Sequence, residues 1–431
     1  MTNDSKLFPP RPKWEEKGYR PDEYGHWLKG PWREYRGPQH ILEREPGLVL
    51  SRDGRSALHV EEIEDVALPI YNAKIFDLWD YCVAGWVSGK GRGAKWESID
   101  FPKVMKPEYL MGLGDWTDAG AVHRTSRLLF KDISTAVHKR TMRSAITPNF
   151  PAVNASPVLS CEIFNGELEL QAVLGSFEFD YIAKFKIGYL HLNYFILEEC
   201  ALAAPTVIRA LQRHIKRISA RLSCCSEVFS SAWIDAGHSD TATSWRKQWA
   251  VTEHERLRLR VIIDALMAYS YGLEVDEFSW ILRDTDYPLE FLRVKENTKS
   301  LDQKRFWRID KDKDPELRHT VLSLVAFHDL KEKGLEAFLA QNDGEGWMIP
   351  EQLRLADYGL GHDDRAREYQ PVASRLGPRF YDWQLNEDIE RSWEECAAHA
   401  ELIRRIVPLP ATDQADADTK NKSESSQGEL F

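Results

Sequence analysis

The chain has 431 residues and a formal net charge of −11, with 43% hydrophobic and 29% charged residues. This length allows two or three packed units, because domains usually contain about 100–200 residues. No run of about 18 apolar residues and no signal peptide are present, so the sequence predicts a cytoplasmic protein without a membrane partner.

Residues 1–58 are predicted to form an N-terminal arm rich in aromatic residues and proline. Several tryptophans and tyrosines lie among glycines and prolines between positions 14 and 32, which is typical of irregular structure anchored by side chains. Leu48-Val-Leu50, the turn Arg52-Asp-Gly54 and the apolar run 57–60 predict a short β-hairpin.

Residues 59–205 are predicted to be rich in β-structure. Short apolar runs at 66–75, 127–130, 158–164 and 168–174 predict a mixed antiparallel unit. Two helices are expected within it, at about 133–139 and 174–185. A glycine-rich, basic segment occupies positions 88–96, Ser88-Gly-Lys-Gly-Arg-Gly-Ala-Lys-Trp96. Its three glycines leave the backbone flexible, Lys90, Arg92 and Lys95 supply positive charge, and Trp96 supplies a ring for stacking. These features suit a loop that follows a phosphate backbone. An ordinary flexible surface loop explains the same pattern equally well.

Residues 206–300 are predicted to form a helical support region. A helix begins at Pro205 and Thr206, and its apolar stripe is formed by Ile208, Leu211, Ile215, Ile218 and Leu222. Arg209, Arg213, Arg217 and Arg221 form a second stripe, whose like charges repel unless phosphates or an acidic patch of the same chain compensate them. Thr252-Glu-His-Glu255 resembles a capping box and predicts a helix that reaches about Tyr271.

Residues 301–410 are predicted to form a helical C-terminal cap, with helices at 315–333 and 385–407. Residues 411–431 are a low-complexity acidic tail that is predicted to be disordered. The expected fold class is therefore α+β, in which a mixed β-containing unit is followed by a helical support segment and the helical cap. Six cysteines without a C-x-x-C pair are expected to be buried thiols, at positions Cys82, Cys161, Cys200, Cys224, Cys225 and Cys396.

Three apolar, aromatic segments lie between positions 127 and 198, and each contains single polar residues. We call these segments phrases. They are Arg127-Leu-Leu-Phe-Lys-Asp-Ile133 with Arg140-Thr-Met142, then Leu174-Gly-Ser-Phe-Glu-Phe-Asp-Tyr181, and finally His191-Leu-Asn-Tyr-Phe-Ile-Leu-Glu198. An unpaired buried polar group costs roughly 1–3 kcal/mol. We therefore expect the lone polar side chains of the second and third phrases to be buried and to have partners, namely Ser176, Asp180 and Asn193.

In this order, the phrases resemble the C-terminal target-recognition (specificity) half of the large adenine-specific DNA methyltransferases of type IIG restriction-modification systems. Leu68-Pro-Ile-Tyr-Asn-Ala-Lys-Ile-Phe-Asp77 is similar to the family's entry phrase, and Asp264-Ala-Leu with Tyr271-Gly-Leu273 is similar to a helix end beyond the recognition region. The resemblance implies that residues 59–205 form a target-recognition region that binds double-stranded DNA in a bacterial restriction-modification or phage-defence system.

The distribution of positive charge supplies candidate phosphate ligands. Residues 82–145 contain 11 Lys or Arg against 6 Asp or Glu, and residues 184–221 contain 7 against 2. Phosphate contacts respond to such local charge rather than to net charge. The candidates are Lys90, Arg92, Lys95, Arg124, Arg140, Arg143, Lys184, Lys186, Arg209, Arg213 and Arg217. The residues that match the family's phrases are expected to be scaffold, namely Arg127, Asp132, Ser176, Asp180 and Asn193.

The motifs for methyl transfer itself are missing. Thr147-Pro-Asn-Phe150 lacks the second proline of the family's catalytic motif, and Gly112-Leu-Gly114 is a lone G-x-G. S-adenosylmethionine and the catalytic residues are therefore expected on a partner chain, a methyltransferase catalytic subunit, and no catalytic or metal-binding residue is assigned here. The alternative is a non-catalytic interaction or adaptor subunit of a defence complex. An independent enzyme would require the polar loops 347–363 and 377–383 to meet in one pocket.

Overall fold

A computed structural model describes residues 8–118, 125–159, 166–237 and 242–408 of the chain. Of the positions singled out in the sequence, Arg124, Cys161 and the tail 411–431 lie outside these ranges. The other five cysteines are buried free thiols, as predicted. Within the described ranges, no helix combines the length and the apolar character needed to cross a bilayer.

The strands are short, and all pairings between them are antiparallel. The strands of the described ranges are β1 (Arg20–Pro21), β2 (Trp27–Lys29), β3 (Arg33–Glu34), β4 (Leu48–Leu50), β5 (Ser56–His59), β6 (Asp65–Pro69), β7 (Ala84–Ser88), β8 (Lys95–Ser98), β9 (Leu110–Gly112), β10 (Ser126–Phe130), β11 (Ser144–Pro148), β12 (Val158–Leu159), β13 (Gln352–Leu353) and β14 (Gln370–Pro371). Within these ranges they form five small sheets, with the orders β1-β2-β6-β9, β3-β5-β4, β7-β8, β11-β10-β12 and β13-β14.

Helices dominate the second half of the chain, which confirms the α+β class with a helical C-terminal region. They are α1 (Arg11–Glu15), α2 (Leu113–Asp118), α3 (Glu167–Gly175), α4 (Phe177–Lys186), α5 (Tyr194–Glu198), α6 (Pro205–Ala210), α7 (Gln212–Ser223), α8 (Ser230–Asp235), α9 (Glu253–Ser270), α10 (Val275–Ile281), α11 (Leu289–Arg293), α12 (Lys295–Thr298), α13 (His319–Lys333), α14 (Leu335–Ala340), α15 (Asp382–Leu385) and α16 (Ile389–Ile406).

Two local predictions are confirmed. β4 and β5 form the expected hairpin, with Val49 opposite Leu58. The helix α9 begins where the cap was predicted, since the Thr252 hydroxyl accepts a hydrogen bond from the Glu255 amide. The Glu255 side chain does not complete the capping box, because it bonds three arginines instead.

Three predictions of secondary structure are wrong. The apolar run 168–174 belongs to α3 and is not a strand. Its side chains are buried on all sides, against α7 and β11, and such uniform burial hides the helical period. Residues 133–139 form a turn instead of a helix, and Ile133 makes a bridge with His191. The helix expected from Pro205 is divided into α6 and α7 at Leu211, whose φ and ψ are −92° and 0°.

One large hydrophobic core joins most of the described chain, and two smaller buried clusters, around Trp14 and around Leu301, are separate from it. The large core contains Leu28 from the N-terminal arm, Phe130 from β10, Ile262 from α9, Val325 from α13 and Leu402 from α16. The helix α9 packs against α13, α7 and α4, and α16 packs against α8. Of the three phrases singled out in the sequence, the second therefore lies directly against α9, through α4.

Candidate nucleic-acid interface

The first two phrases meet at the buried carboxylate of Asp180. One oxygen of Asp180 accepts hydrogen bonds from the backbone amides of Thr141 and Met142, at 2.8 and 2.5 Å. The other oxygen lies 3.4 Å from the Nε of Arg140 and 3.8 Å from the Nζ of Lys184. The expectation that Asp180 is buried with partners is confirmed, and its charge is compensated by two buried cations.

Arg140 and Lys184 are internal supports in this structure, which corrects their prediction as phosphate ligands. Arg140 donates to the carbonyls of Gly175 and Ser176, at 2.7 and 2.6 Å. The Lys184 ammonium donates to the carbonyls of residues 136 and 138, at 3.2 and 2.6 Å. Burial lowers the pKa of Lys184 to about 8, against the raising effect of Asp180. Both cations fix the turn 133–139 against α4 and are too buried to contact DNA.

The second phrase is also bound to α9. The buried hydroxyl of Ser176 caps α4 by accepting from the Phe179 amide, as expected for a buried polar group. The Asp264 carboxylate of α9 accepts from the Phe177 amide at 3.1 Å and lies 2.6 Å from the Nε2 of His319 in α13. The Asp264-Ala-Leu segment singled out in the sequence therefore joins the same buried polar unit.

Glu178 is a further buried carboxyl of this unit, and among the described residues neither of its oxygens forms a hydrogen bond of ordinary geometry. Burial raises the pKa of Glu178 well above its ordinary value, and the negative charge of Asp264 raises it further. A carboxyl with a raised pKa stabilises the fold fully below the unfolded pKa of about 4.3, and this stability is lost as the pH rises toward the folded pKa. We therefore expect Glu178→Gln to become progressively more stable than the unmodified chain between pH 4 and pH 8.

Urea unfolding midpoints measured across this pH range test the prediction. Glu198→Gln serves as the control, because Glu198 is exposed at the end of α5. A difference between Glu178→Gln and the unmodified chain that stays constant with pH would contradict a protonated Glu178.

The lone polar residue of the third phrase is exposed, contrary to expectation. Asn193 lies at the N-terminus of α5 but makes no side-chain cap, and it faces solvent. The residues before it are held to the turn 133–139, because the amide of Ser134 donates to the Leu190 carbonyl and the Asp132 carboxylate lies 2.8 Å from the Nδ1 of His191. Arg127 supports the sheet below by donating to the Phe150 carbonyl. The phrase thus comprises the end of a loop and the short helix α5, both presented on a rigid base.

Large apolar side chains are exposed around this loop. Tyr189 has 88% of its surface exposed, the largest value among the exposed large hydrophobic residues of the described ranges, and Leu190 and Phe195 follow at 60% each. Exposed apolar clusters of this kind usually mark an interaction site. We refer to the following set as the aromatic surface: Ile133, Val137, Phe185, Tyr189, Leu190, Tyr194 and Phe195.

Cationic side chains lie between the members of the aromatic surface. Arg143 donates to the Ile133 carbonyl, and Arg308 donates to the Val137 carbonyl. The ammonium of Lys304 lies 4.8 Å from the ring centre of Phe185. Lys186 follows Phe185 in the chain, with its side chain 45% exposed and 3.5 Å from Glu199. Of the predicted phosphate ligands, Arg143 and Lys186 thus both lie beside the aromatic surface.

Sequence reasoning missed Tyr189, Lys304 and Arg308. Tyr189 follows Gly188 directly after the basic end of α4, which is a local signal for an exposed aromatic loop. Lys304 and Arg308 lie more than 100 residues further along the chain, and only the packing of residues 300–310 against α4 and the turn 133–139 brings them here.

The remaining predicted phosphate ligands are distributed over two other places. Lys90, Arg92 and Lys95 are exposed at the tip of the β7–β8 hairpin. Arg209 and Arg213 are exposed on α6 and α7.

The last two arginines of the α6–α7 stripe are compensated within the chain. Arg217 pairs with Glu345 at 3.3 Å, and Arg221 pairs with both Glu345 and the buried Glu255. Of the two explanations left open, the acidic patch therefore accounts for these two positions, and Arg217, predicted as a phosphate ligand, is held by Glu345 in this structure.

The polar loops 347–363 and 377–383 serve separate contacts. His362 lies 2.7 Å from the Asp286 carboxylate and stacks on Tyr287, whereas the Gly377 carbonyl is bonded by His254 at the start of α9. Comparison of the chain with protein-family models, with curated proteins and with solved structures finds no match.

Proposed function

We propose that this chain is the DNA target-recognition component of an adenine-specific DNA methyltransferase of a restriction-modification or phage-defence system. The observation that carries the proposal is the aromatic surface with its interleaved cations, which includes Tyr194 and Phe195 of the third of the three phrases that resemble that family. Aromatic side chains stack on bases, and Lys or Arg beside them bind the phosphates. Methyl transfer would come from a partner chain that binds S-adenosylmethionine.

A second candidate function is an adaptor subunit that binds another protein. It is favoured by the branched apolar members of the aromatic surface, Ile133, Val137 and Leu190, which are exposed but cannot stack on bases. Such side chains are typical of the apolar centre of a protein interface. DNA binding by the purified chain separates the two candidates.

The DNA candidate predicts that duplex binding falls steeply with salt, with a slope that reflects the number of phosphate contacts. We expect Lys186→Gln and Lys304→Gln each to reduce the salt slope by about one unit, because each removes one phosphate contact. Tyr189→Ala should weaken binding by about 1–3 kcal/mol if Tyr189 stacks on a base. Fluorescence anisotropy of labelled duplex across a salt series measures both effects.

Matched controls are available elsewhere on the surface. Lys333→Gln changes a lysine of similar exposure, 42%, at the end of α13, and Tyr369→Ala changes a tyrosine that is 60% exposed. Equal losses of DNA-binding affinity in the variants and in their controls would contradict a specific role of the aromatic surface. The absence of binding at low salt, with or without a catalytic partner, would contradict DNA recognition and favour the adaptor.

A further inference from the structure

A second cluster of exposed apolar side chains lies between positions 381 and 389, on α15 and at the start of α16. Tyr381, Trp383, Leu385 and Ile389 have exposed fractions between 42% and 52%. Trp383 stacks on Phe101, with the ring centres 5.9 Å apart and the planes almost parallel. Exposed apolar clusters of this kind usually mark an interaction site.

The charge around this cluster is negative, opposite to that of the cations beside the aromatic surface. Residues 381–394 contain 5 Asp or Glu against 1 Arg. That arginine, Arg391, pairs with Glu43 at 2.6 Å. Asp382 and Glu390 are exposed, and neither forms an ion pair within the described ranges. We refer to the following set as the acidic surface: Tyr381, Asp382, Trp383, Leu385, Asp388, Ile389 and Glu390.

A cavity of about 250 Å³ opens beside Trp383, with Glu387 and Asp388 in its wall. This volume is below the range of about 300–1,000 Å³ that is common for small-molecule pockets, and it suits a single side chain. One oxygen of Glu387 lies 3.7 Å from the guanidinium of Arg246, whereas the other is buried without a hydrogen-bond partner among the described residues. Arg246 and Arg391, which also line the cavity, already pair with other carboxylates. A cation from another chain would supply the missing donor to Glu387.

The aromatic surface carries the complementary groups. Arg143, Lys304 and Arg308 lie beside it, and none of them forms an ion pair with a carboxylate in the part of the chain that the structure describes. Its aliphatic members cannot stack on bases, but they match the aliphatic members of the acidic surface, as the apolar centre of a protein interface requires. The same chain therefore presents both halves of one interface, at two separate places.

We infer that copies of this chain associate head to tail, with the aromatic surface of one copy on the acidic surface of the next. A lysine beside the aromatic surface then reaches the cavity at Glu387. The two surfaces differ, so the contact is heterologous and leaves one surface of each kind free at the ends of an assembly. Both surfaces are small and charged, so we expect weak association that salt screens. The inference does not depend on the proposed function, although a second copy and DNA would exclude each other from the aromatic surface.

Sedimentation equilibrium of the full chain without DNA tests the inference. We expect the average mass to rise with concentration up to about 100 µM chain at about 50 mM salt, and to return to that of the monomer at about 500 mM salt. Lys304→Glu and Glu390→Lys should each raise the dissociation constant about tenfold or more, because each places like charges opposite one another. Matched reversals outside both surfaces, Lys333→Glu on α13 and Glu401→Lys on α16, should leave it unchanged.

Mixing the two variants tests the head-to-tail arrangement. Lys304→Glu keeps an intact acidic surface, and Glu390→Lys keeps intact cations, so their equimolar mixture should form dimers under conditions in which each variant alone is monomeric. A chain that stays monomeric at about 100 µM and about 50 mM salt would overturn the inference. Association that neither reversal weakens, or a mixture that associates no more than its components, would overturn it as well. Glu390 is exposed, so its variant keeps the test valid even if Lys304→Glu fails to fold.

Discussion

Asp180→Ala is expected to reduce the free energy of unfolding by about 3–5 kcal/mol. The change removes the acceptor of two backbone amides and leaves Arg140 and Lys184 buried without their shared counter-charge. Removal of one partner from a buried ion pair is much more destabilising than loss of an exposed one. Guanidinium-induced unfolding followed by circular dichroism measures the effect.

A control and a compensating variant sharpen this prediction. Asp364→Ala changes an aspartate whose side chain is 97% exposed, and its effect should stay within about 0.5 kcal/mol. Adding Lys184→Met to Asp180→Ala should recover part of the lost stability, because it removes one of the uncompensated charges. If the double variant is no more stable than Asp180→Ala, the ion pair is not the source of the loss.

Glu255→Gln should have an effect of similar size, about 3–5 kcal/mol, because Glu255 is the buried centre of an ionic cluster. Its carboxylate bonds Arg221 of α7, Arg258 of α9 and Arg379 of the loop 377–379, at distances between 2.6 and 3.3 Å. The glutamine side chain has nearly the same shape but carries no charge, so the arginines lose their main counter-charge. Chemical unfolding is again the measurement.

The neighbouring Glu253 provides a matched control. It lies in the same first turn of α9 but is exposed, so Glu253→Gln should change stability by less than about 1 kcal/mol. Similar losses of stability in Glu253→Gln and Glu255→Gln would show that a general effect on the helix N-terminus is responsible. That result would contradict the ionic cluster as the cause.

The pKa of Glu255 also predicts how the stability of the fold changes at acidic pH. Burial alone would raise the pKa of Glu255, but the guanidinium groups of Arg221 and Arg258 outweigh it and hold that pKa well below its ordinary value. A carboxyl with a lowered pKa stabilises the fold fully above its unfolded pKa of about 4.3, and this stability is lost as the pH falls toward the folded pKa. Below pH 5, the unmodified chain should therefore lose stability more steeply than Glu255→Gln.

Some features were determined by the sequence itself because they depend on neighbouring residues. The Asp-Gly turn between β4 and β5 and the Thr252 cap of α9 follow from local backbone chemistry. The apolar stripe along α6 and α7 is buried as its period predicted, with Leu211 at the break. Ser176 and Asp180 have the partners that a buried polar group requires.

Whether each charged residue is buried, paired or exposed was decided only by the tertiary structure. Arg140 and Arg143 stand three positions apart, yet one is buried on backbone carbonyls and the other lies beside the aromatic surface. Whether a cation meets a carboxylate depends on distant residues, as Arg217 and Glu345 show. The sequence could therefore determine local elements and the need for partners, whereas the approach of Lys304 to Phe185 and of Arg308 to Val137 depends on long-range packing, which has no local signal.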